Sequence, residues 1–312
     1  MSEINESFAE EAREPAPAMM QAPKASLLAA AQKRHHELAE LLTKGTAALG
    51  DSDFVHDLRV ATRRMGEVAR LLNETGATLD KPTAKAIATS LRLLRQAMGN
   101  LRDSDVTREH LLKWRIPMPL KKVAQRIAGA LEENRPTLQV AAQMQMQTAS
   151  LAGTMVILAR SLEDIAQPEQ AAEAERGFRA ALEDLIKTRE KQLKRSFGVA
   201  AKKQTAASLH AARICVKKMR YVLELAVAAG GGVARRGIKS KVRQLKQLQE
   251  LLGDHHDAHV ITEQLEVQLK GMARPWPKSL SPAWRKWQRH TAGVQSKRAA
   301  VFFAKTYAWM NG

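Results

Sequence analysis

Apolar positions along the chain recur every three to four residues, the spacing of one helical face, and no convincing segment alternates as a half-buried strand would. Ala, Leu, Gln, Glu, Lys and Arg dominate, all good helix formers. The pattern predicts helices at about 26–49, 52–75, 81–99, 102–114, 120–134, 137–166, 169–196, 206–229, 233–252, 254–271 and 281–310. The cuts fall on local punctuation: Gly50 before Asp51-Ser52-Asp53, Gly76, Lys81-Pro82, Pro117 to Pro119, Gly230-Gly231-Gly232, and Pro275 to Pro277. Gly253 reads as a helix end, with Asp254 capping the helix that follows. The expected fold class is all-α.

The pattern also repeats. Val55-His56-Asp57-Leu58-Arg59-Val60-Ala61-Thr62-Arg63-Arg64-Met65 aligns with Leu209-His210-Ala211-Ala212-Arg213-Ile214-Cys215-Val216-Lys217-Lys218-Met219 at an offset of 154 positions. Leu91, Leu94, Gly99, Asp103, Val106 and Glu109 align with Leu245, Leu248, Gly253, Asp257, Val260 and Glu263 at the same offset, with no gap. Such agreement through two helices and their connections predicts a duplicated helical unit whose halves meet near 167–180.

Charge changes the picture more than composition does. Fifty Lys+Arg against 32 Asp+Glu leave a net charge of +18, which predicts attraction to polyanions. Nucleic acid, an anionic membrane surface and an inorganic polyanion all qualify. The lone cysteine, Cys215, excludes a disulfide framework and a thiolate zinc cluster. The opening residues carry Glu3, Glu6, Glu10, Glu11 and Glu14, then Pro15, Pro17 and Pro23. They read as an acidic disordered tail over 1–25 rather than a secretory signal. The longest uncharged stretch, 136–159, is interrupted by glutamines, so no membrane span is expected. A soluble, cytoplasmic protein is the expectation.

On the helix carrying His56, at 100° per residue, Arg59 lies at about −60°, Arg63 at about −20° and Arg70 at about −40°, with Arg64 on the flank. Leu58, Ala61, Met65, Val68 and Leu72 lie opposite. The second copy sets His210, Arg213, Lys217, Lys218 and Tyr221 against Ala212, Cys215, Met219 and Val222, which makes Cys215 a small core residue. The following helix of each copy adds Lys85, Arg92 and Arg95, or Lys239, Arg243 and Lys246. Like charges at helical spacing repel by a few tenths of a kcal/mol per pair. Both copies keep them, and an anionic partner would relieve the repulsion.

These residues resemble a known family. The His-x-x-Arg-x-x-x-Arg-Arg pattern at His56, its echo at His210, Met98-Gly99-Asn100-Leu101-Arg102-Asp103, and Leu248-Gln249-Glu250-Leu251-Leu252-Gly253-Asp254-His255-His256-Asp257 are similar to the CHAD domain, the conserved-histidine α-helical domain. The resemblance runs from about 26 to 310. It implies a single domain over 26–312 made of two repeats, about 26–166 and 167–312. These would form two pseudo-symmetric helical bundles around a basic groove or pore that binds inorganic polyphosphate, at polyphosphate granules in some members. The resemblance assigns phosphate contact to His56, Arg59, Arg63, Arg64, Lys85, Arg92, Arg95, His210, Arg213, Lys217, Lys218, Arg220, Lys239, Arg243 and Lys246. Some family members also carry a CYTH-type triphosphatase domain with a Glu-x-Glu-x-Lys signature. Here the nearest string, Glu173-Ala174-Glu175-Arg176-Gly177, lacks the lysine. Asn100 opposite Asp254 and Gly66 opposite Arg220 make the two halves unequal.

Other constellations fit structural roles. His255 and His259 are four apart, a usable ligand pair, but the other copy reads Asn100-Leu101-Arg102-Asp103-Ser104-Asp105, where only the second Asp recurs, so no metal or other cofactor is expected. Asp103 and Asp257 recur in both copies and suit the orientation of a motif-helix arginine. Trp276, Trp284, Trp287 and Trp309 read as core rather than as base-stacking platforms, and Met144, Met146 and Met155 as packing residues. The sequence thus points to a non-catalytic polyphosphate-binding module. A non-specific nucleic-acid binder is the alternative, and a polyphosphatase or triphosphatase ranks last because clustered acids for Mg²⁺ are missing.

Overall fold

A computed structural model describes residues 26–75, 79–148, 151–230, 237–272 and 276–311. The acidic tail, Gly76, Gly231, Gly232 and Pro275 lie outside them, as does the Trp309 side chain. Among the described residues there are nine α-helices and no strand. They are α1 Leu27–Thr43, α2 Ser52–Thr75, α3 Lys81–Lys113, α4 Leu120–Thr148, α5 Leu151–Asp164, α6 Pro168–Lys203, α7 Ala206–Ala228, α8 Ile238–Gly271 and α9 Leu280–Asn311, with a 3-10 turn at Thr46–Gly50. None of them is long and apolar enough to cross a membrane.

The ends follow local chemistry. Ser26 accepts from the Ala29 N–H at 3.0 Å, and Asp80 from the Thr83 N–H at 2.8 Å. Thr205 and Ser208 form a reciprocal capping box at the start of α7. Glu175, part of the string compared with the triphosphatase signature, has a structural role. Its carboxylate accepts from the Leu27 and Leu28 N–H groups at 2.9 and 3.2 Å, tying α6 to the start of α1.

Three expected breaks are absent. Helix α3 runs through Gly99, α4 through Pro136, and α8 through Gly253 and Asp254. Gly253 therefore does not end a helix and Asp254 does not cap one; its carboxylate instead pairs with Arg298 at 2.7 Å. An interior glycine costs about 1 kcal/mol against alanine, which tertiary packing of a long helix readily offsets. The long helix expected over 137–166 is instead the end of α4 and the whole of α5.

Helices pack mainly on their chain neighbours, α1 on α2, α2 on α3 and α3 on α4, then α6 on α7, α7 on α8 and α8 on α9. Two apolar clusters result. The larger includes Leu58, Met65 and Leu72 of α2, Val216, Met219 and Val222 of α7, and Leu245 and Leu248 of α8. The smaller joins the end of α3 and start of α4 to the end of α8 and start of α9, around Leu111, Leu120, Leu265 and Trp287. Trp114, Trp276 and Trp284 pack against it, as core tryptophans should. Met146 and Met155 are buried, but Met144 is 61% exposed, so it is not a packing residue. A buried ion pair, Glu67 to Arg189 at 3.1 Å, locks α2 to α6.

Candidate anion-binding site

Helices α2 and α7 pack against each other, and each commits its apolar stripe to the core. Cys215 is half-buried against that core. The opposite faces bring cations from both helices into electrostatic reach. Arg63 of α2 acts on His56 and Arg59 of its own helix, on Arg95 of α3, and on Arg213 and Lys217 of α7. Lys217 feels this most. Burial, then Arg213, Arg63, Arg59 and Arg220, push its amine from the usual lysine range down to about 7. Burial also lowers the guanidinium values of Arg59, Arg95 and Arg213.

Two of these arginines lie over the interior of the next helix. Arg59 Nη1 donates to the carbonyl oxygens of Met98 and Gly99, at 3.3 and 3.1 Å, and to Asp103 Oδ1 at 3.1 Å. Arg213 Nη2 sits 4.0 Å from where a Cβ on Gly253 would stand. The glycines at the two aligned positions thus mark where a motif-helix arginine crosses α3 or α8. Asp103 orients Arg59 as expected. Asp257 acts electrostatically on Arg213, but the group within pairing distance is His110 Nδ1, 3.8 Å away. Burial, foremost, raises the Asp257 carboxyl.

The histidines sit at the edge of the cluster. His56 and His210 are both exposed residues with lowered pKa values. Partial desolvation is the first cause for each, followed by Arg102 for His56 and by Arg213 and Lys217 for His210. The His210 ring lies 4.8 Å from that of His256, which burial and Arg213 push down to about 4. Arg102 and His256 themselves stand 154 positions apart, so corresponding places beside the two motif histidines hold a cation and a neutral ring. Asp103 also acts on His210, Arg213 and His256, so one carboxylate of α3 serves groups on α7 and α8. His255 is lowered by burial and by His259, yet no group of three potential metal ligands comes together among the described residues.

Other sequence-derived candidates lie at the margin of this cluster or beyond it. Arg64 turns toward Glu224, 3.7 Å away, and Glu37, 4.0 Å away. Arg220 pairs with Glu224 at 3.6 Å and lies over the Tyr221 ring, while still acting on Lys217. Arg64, Lys239 and Lys246 line a cavity of about 670 Å³ between α1, α2, α7 and α8, together with Lys33, Arg34, Glu37 and Glu224. Lys85, Arg92, Lys218 and Arg243 are exposed, and Arg92 donates to Gln96 at 3.3 Å.

Sequence reasoning missed Lys33, Arg34, Arg102, His110 and His256. Arg34 is buried, donates to the Tyr221 carbonyl at 3.3 Å, and is pushed down to about 10, mainly by burial. It lies outside both aligned segments, so the repeat gave no signal for it. Arg102 and His256 were within reach, because they occupy one aligned position.

The fold is similar to the crystal structure of the CHAD domain from the plant Ricinus communis, with a TM-score of 0.62 and 20% identity over 95% of this chain and 98% of that one. It is also similar to PptA from Streptomyces chartreusis, with a TM-score of 0.56 and 15% identity over 90% of this chain and 98% of that one. At these identities the likeness concerns the fold. No curated protein matches the sequence. Residues 29–266 match the CHAD domain, and this chain accordingly belongs to the CHAD domain family.

Proposed function

We propose that this CHAD domain binds inorganic polyphosphate non-covalently and does not turn it over. In this reading the two 154-offset halves face one another across a cationic groove, with one bound chain contacting α2 and α7 together. The observation that carries the reading is the position of Arg63, which acts at once on Arg59, Arg95, Arg213 and Lys217. Cations so gathered repel one another, and a row of phosphate oxygens would supply the missing counter-charge. Arginine suits bidentate contact, and lysine acts as a compact charge. Arg64, Lys239 and Lys246 at the neighbouring cavity would extend the track. Association with polyphosphate granules would follow from such binding.

The tryptophans favour polyphosphate over single-stranded nucleic acid. Base recognition on such proteins relies on exposed aromatic platforms. Trp114, Trp276, Trp284 and Trp287 are instead packed into or against the smaller core.

Competition at physiological salt tests the proposal: long-chain polyphosphate against DNA and RNA, with orthophosphate release followed alongside. Polyphosphate should displace both nucleic acids, and log K should fall with log[salt] at a slope on the order of −0.7 per contacted phosphate. Preferential nucleic-acid binding would replace the reading with its alternative, and metal-dependent phosphate release would make the protein an enzyme.

A further inference from the structure

The cavity of about 670 Å³ between α1, α2, α7 and α8 is built differently from the cation cluster beside it. It sets two carboxylates, Glu37 and Glu224, among five cations, Lys33, Arg34, Arg64, Lys239 and Lys246, a surplus of three positive charges. Part of its wall is apolar, with Ala30, Val227 and Val242. Its buried cation also has no carboxylate bound to it where a comparable one does. Elsewhere in the molecule, buried Arg189 donates to both carboxylate oxygens of Glu67, at 3.3 and 3.1 Å. Tyr221 stands 154 positions after Glu67. There Arg34, 6% exposed, donates instead to backbone carbonyls, of Tyr221 at 3.3 Å and of Arg64 at 3.5 Å. A buried guanidinium so placed gains from an added anion. The two acids are loosely held. Arg64 Nη1 lies 4.0 Å from Glu37 and its Nη2 3.7 Å from Glu224, both beyond hydrogen-bond length. Glu224 Oε2 is buried and has no hydrogen-bond partner among the described residues. Carboxylates accept only, so a molecule that carries donors suits them. A chain of phosphates has acceptors throughout.

We propose that this cavity binds a nucleoside diphosphate. The two phosphates carry about three negative charges near neutral pH, because the terminal one loses most of its second proton, and they match the surplus of the lining. Lys33 of α1 and Lys239 and Lys246 of α8 are exposed and meet the phosphates, and Arg34 supplies the buried charge. Ribose hydroxyls and the amino group of the base donate to Glu37 and Glu224. The base lies against Val227 and Val242. The volume falls within the range of about 300–1,000 Å³ usual for small-molecule sites. A polyphosphate chain passing this opening would use the lysines and leave the acids and the apolar wall unserved. The inference therefore does not rest on the polyphosphate reading.

Calorimetric titration of the full chain with ADP, pyrophosphate and adenosine at physiological salt tests this. ADP should bind as a single molecule per chain. Pyrophosphate and adenosine should each bind at least about tenfold more weakly, since each lacks part of what the lining recognises. Lys239→Ala with Lys246→Ala should weaken ADP binding by at least about tenfold, and the exposure of both side chains lets the fold persist. Glu37→Gln should act oppositely on the two phosphate ligands: it removes a repulsive charge for pyrophosphate and a charged acceptor for ADP, so the preference for ADP should narrow. Pyrophosphate binding as tight as that of ADP would overturn the proposal, because the cavity would then read charge alone. So would ADP affinity unchanged in the double lysine variant, which would place the nucleotide elsewhere.

Discussion

Arg59 Nη1 lies 3.1 Å from Asp103 Oδ1 and 3.1 Å from the Gly99 carbonyl oxygen, so one guanidinium bridges a carboxylate and a helix interior. The arginine side chain is 14% exposed and the aspartate 75%. Asp103 holds Arg59 in place, and it also sets a negative charge beside Arg213, His210 and His256. Asp103→Asn should keep an acceptor for Arg59 and remove the charge. Polyanion affinity should rise about two- to fivefold, the range for an exposed charge, with stability changed by less than about 1 kcal/mol. Titrations at fixed ionic strength on both proteins check this, and weaker binding by the variant would contradict it.

That arrangement shows how far the sequence could be read. The helical spacing gave the elements, and the 154-residue offset singled out Arg59, Arg63, Arg213 and Lys217, which the structure brings within electrostatic reach across α2 and α7. It also marked Asp103 as suited to orient a motif-helix arginine, which in the structure is Arg59. The glycines misled because a Gly-Asp pair satisfies a local stopping rule, while the long helices α3 and α8 are maintained by contacts distant in sequence. Arg64 stands away from Arg63 for a related reason. A helical wheel places it beside the basic stripe, but Glu37 and Glu224 come from other turns of chain and draw it to the neighbouring cavity.

Lys217 predicts a proton-linked affinity. Its pKa in the free protein, about 7, lies below the ordinary lysine value, so between pH 7 and about 10 the free amine is largely neutral. A bound polyanion favours the charged form and raises that pKa. Binding therefore takes up a proton in this window, and affinity should fall as pH rises from 7 to 9, by at most tenfold per unit for one proton. Burial first, then Arg213, Arg63, Arg59 and Arg220, lower the free amine, and Asp257 of α8 in turn senses its charge. Lys217→Arg should flatten the profile above pH 7, because its charge persists. An unchanged slope in that variant would assign the titration to another group.

Trp287 separates packing from recognition. It is 1% exposed, lies 6.1 Å ring to ring from Trp114, and donates from Nε1 to Thr262 Oγ1 at 3.3 Å. Trp287→Ala should destabilise the fold by about 3–5 kcal/mol through the cavity it leaves. Urea unfolding reads that loss. At temperatures where the variant remains folded, polyanion affinity should stay within about twofold of the parent, since an interior ring reads no ligand.

The histidines of α8 give a sharper negative. Burial and then His259 lower His255, yet the described residues bring no third potential ligand to the pair. Protein purified without a histidine tag should contain no stoichiometric zinc, and His255→Ala with His259→Ala should leave polyanion binding mostly intact. Elemental analysis and titration of the double variant check both. Bound metal that disappears with the histidines would establish a site there.

The central claim is that Arg63 of α2 and Lys217 of α7 serve one bound polyphosphate chain. Charge reversal at either should be tolerated by the fold, because both side chains lie opposite the apolar stripes that contain Met65 and Met219. Calorimetric titration of long-chain polyphosphate into the parent, Arg63→Glu and Lys217→Glu proteins measures affinity and stoichiometry together. The shared site predicts that each reversal weakens binding by at least about tenfold at unchanged stoichiometry, as charge pairs at a common interface do. Halved stoichiometry with the remaining affinity unaltered would mean two independent sites and would contradict the account.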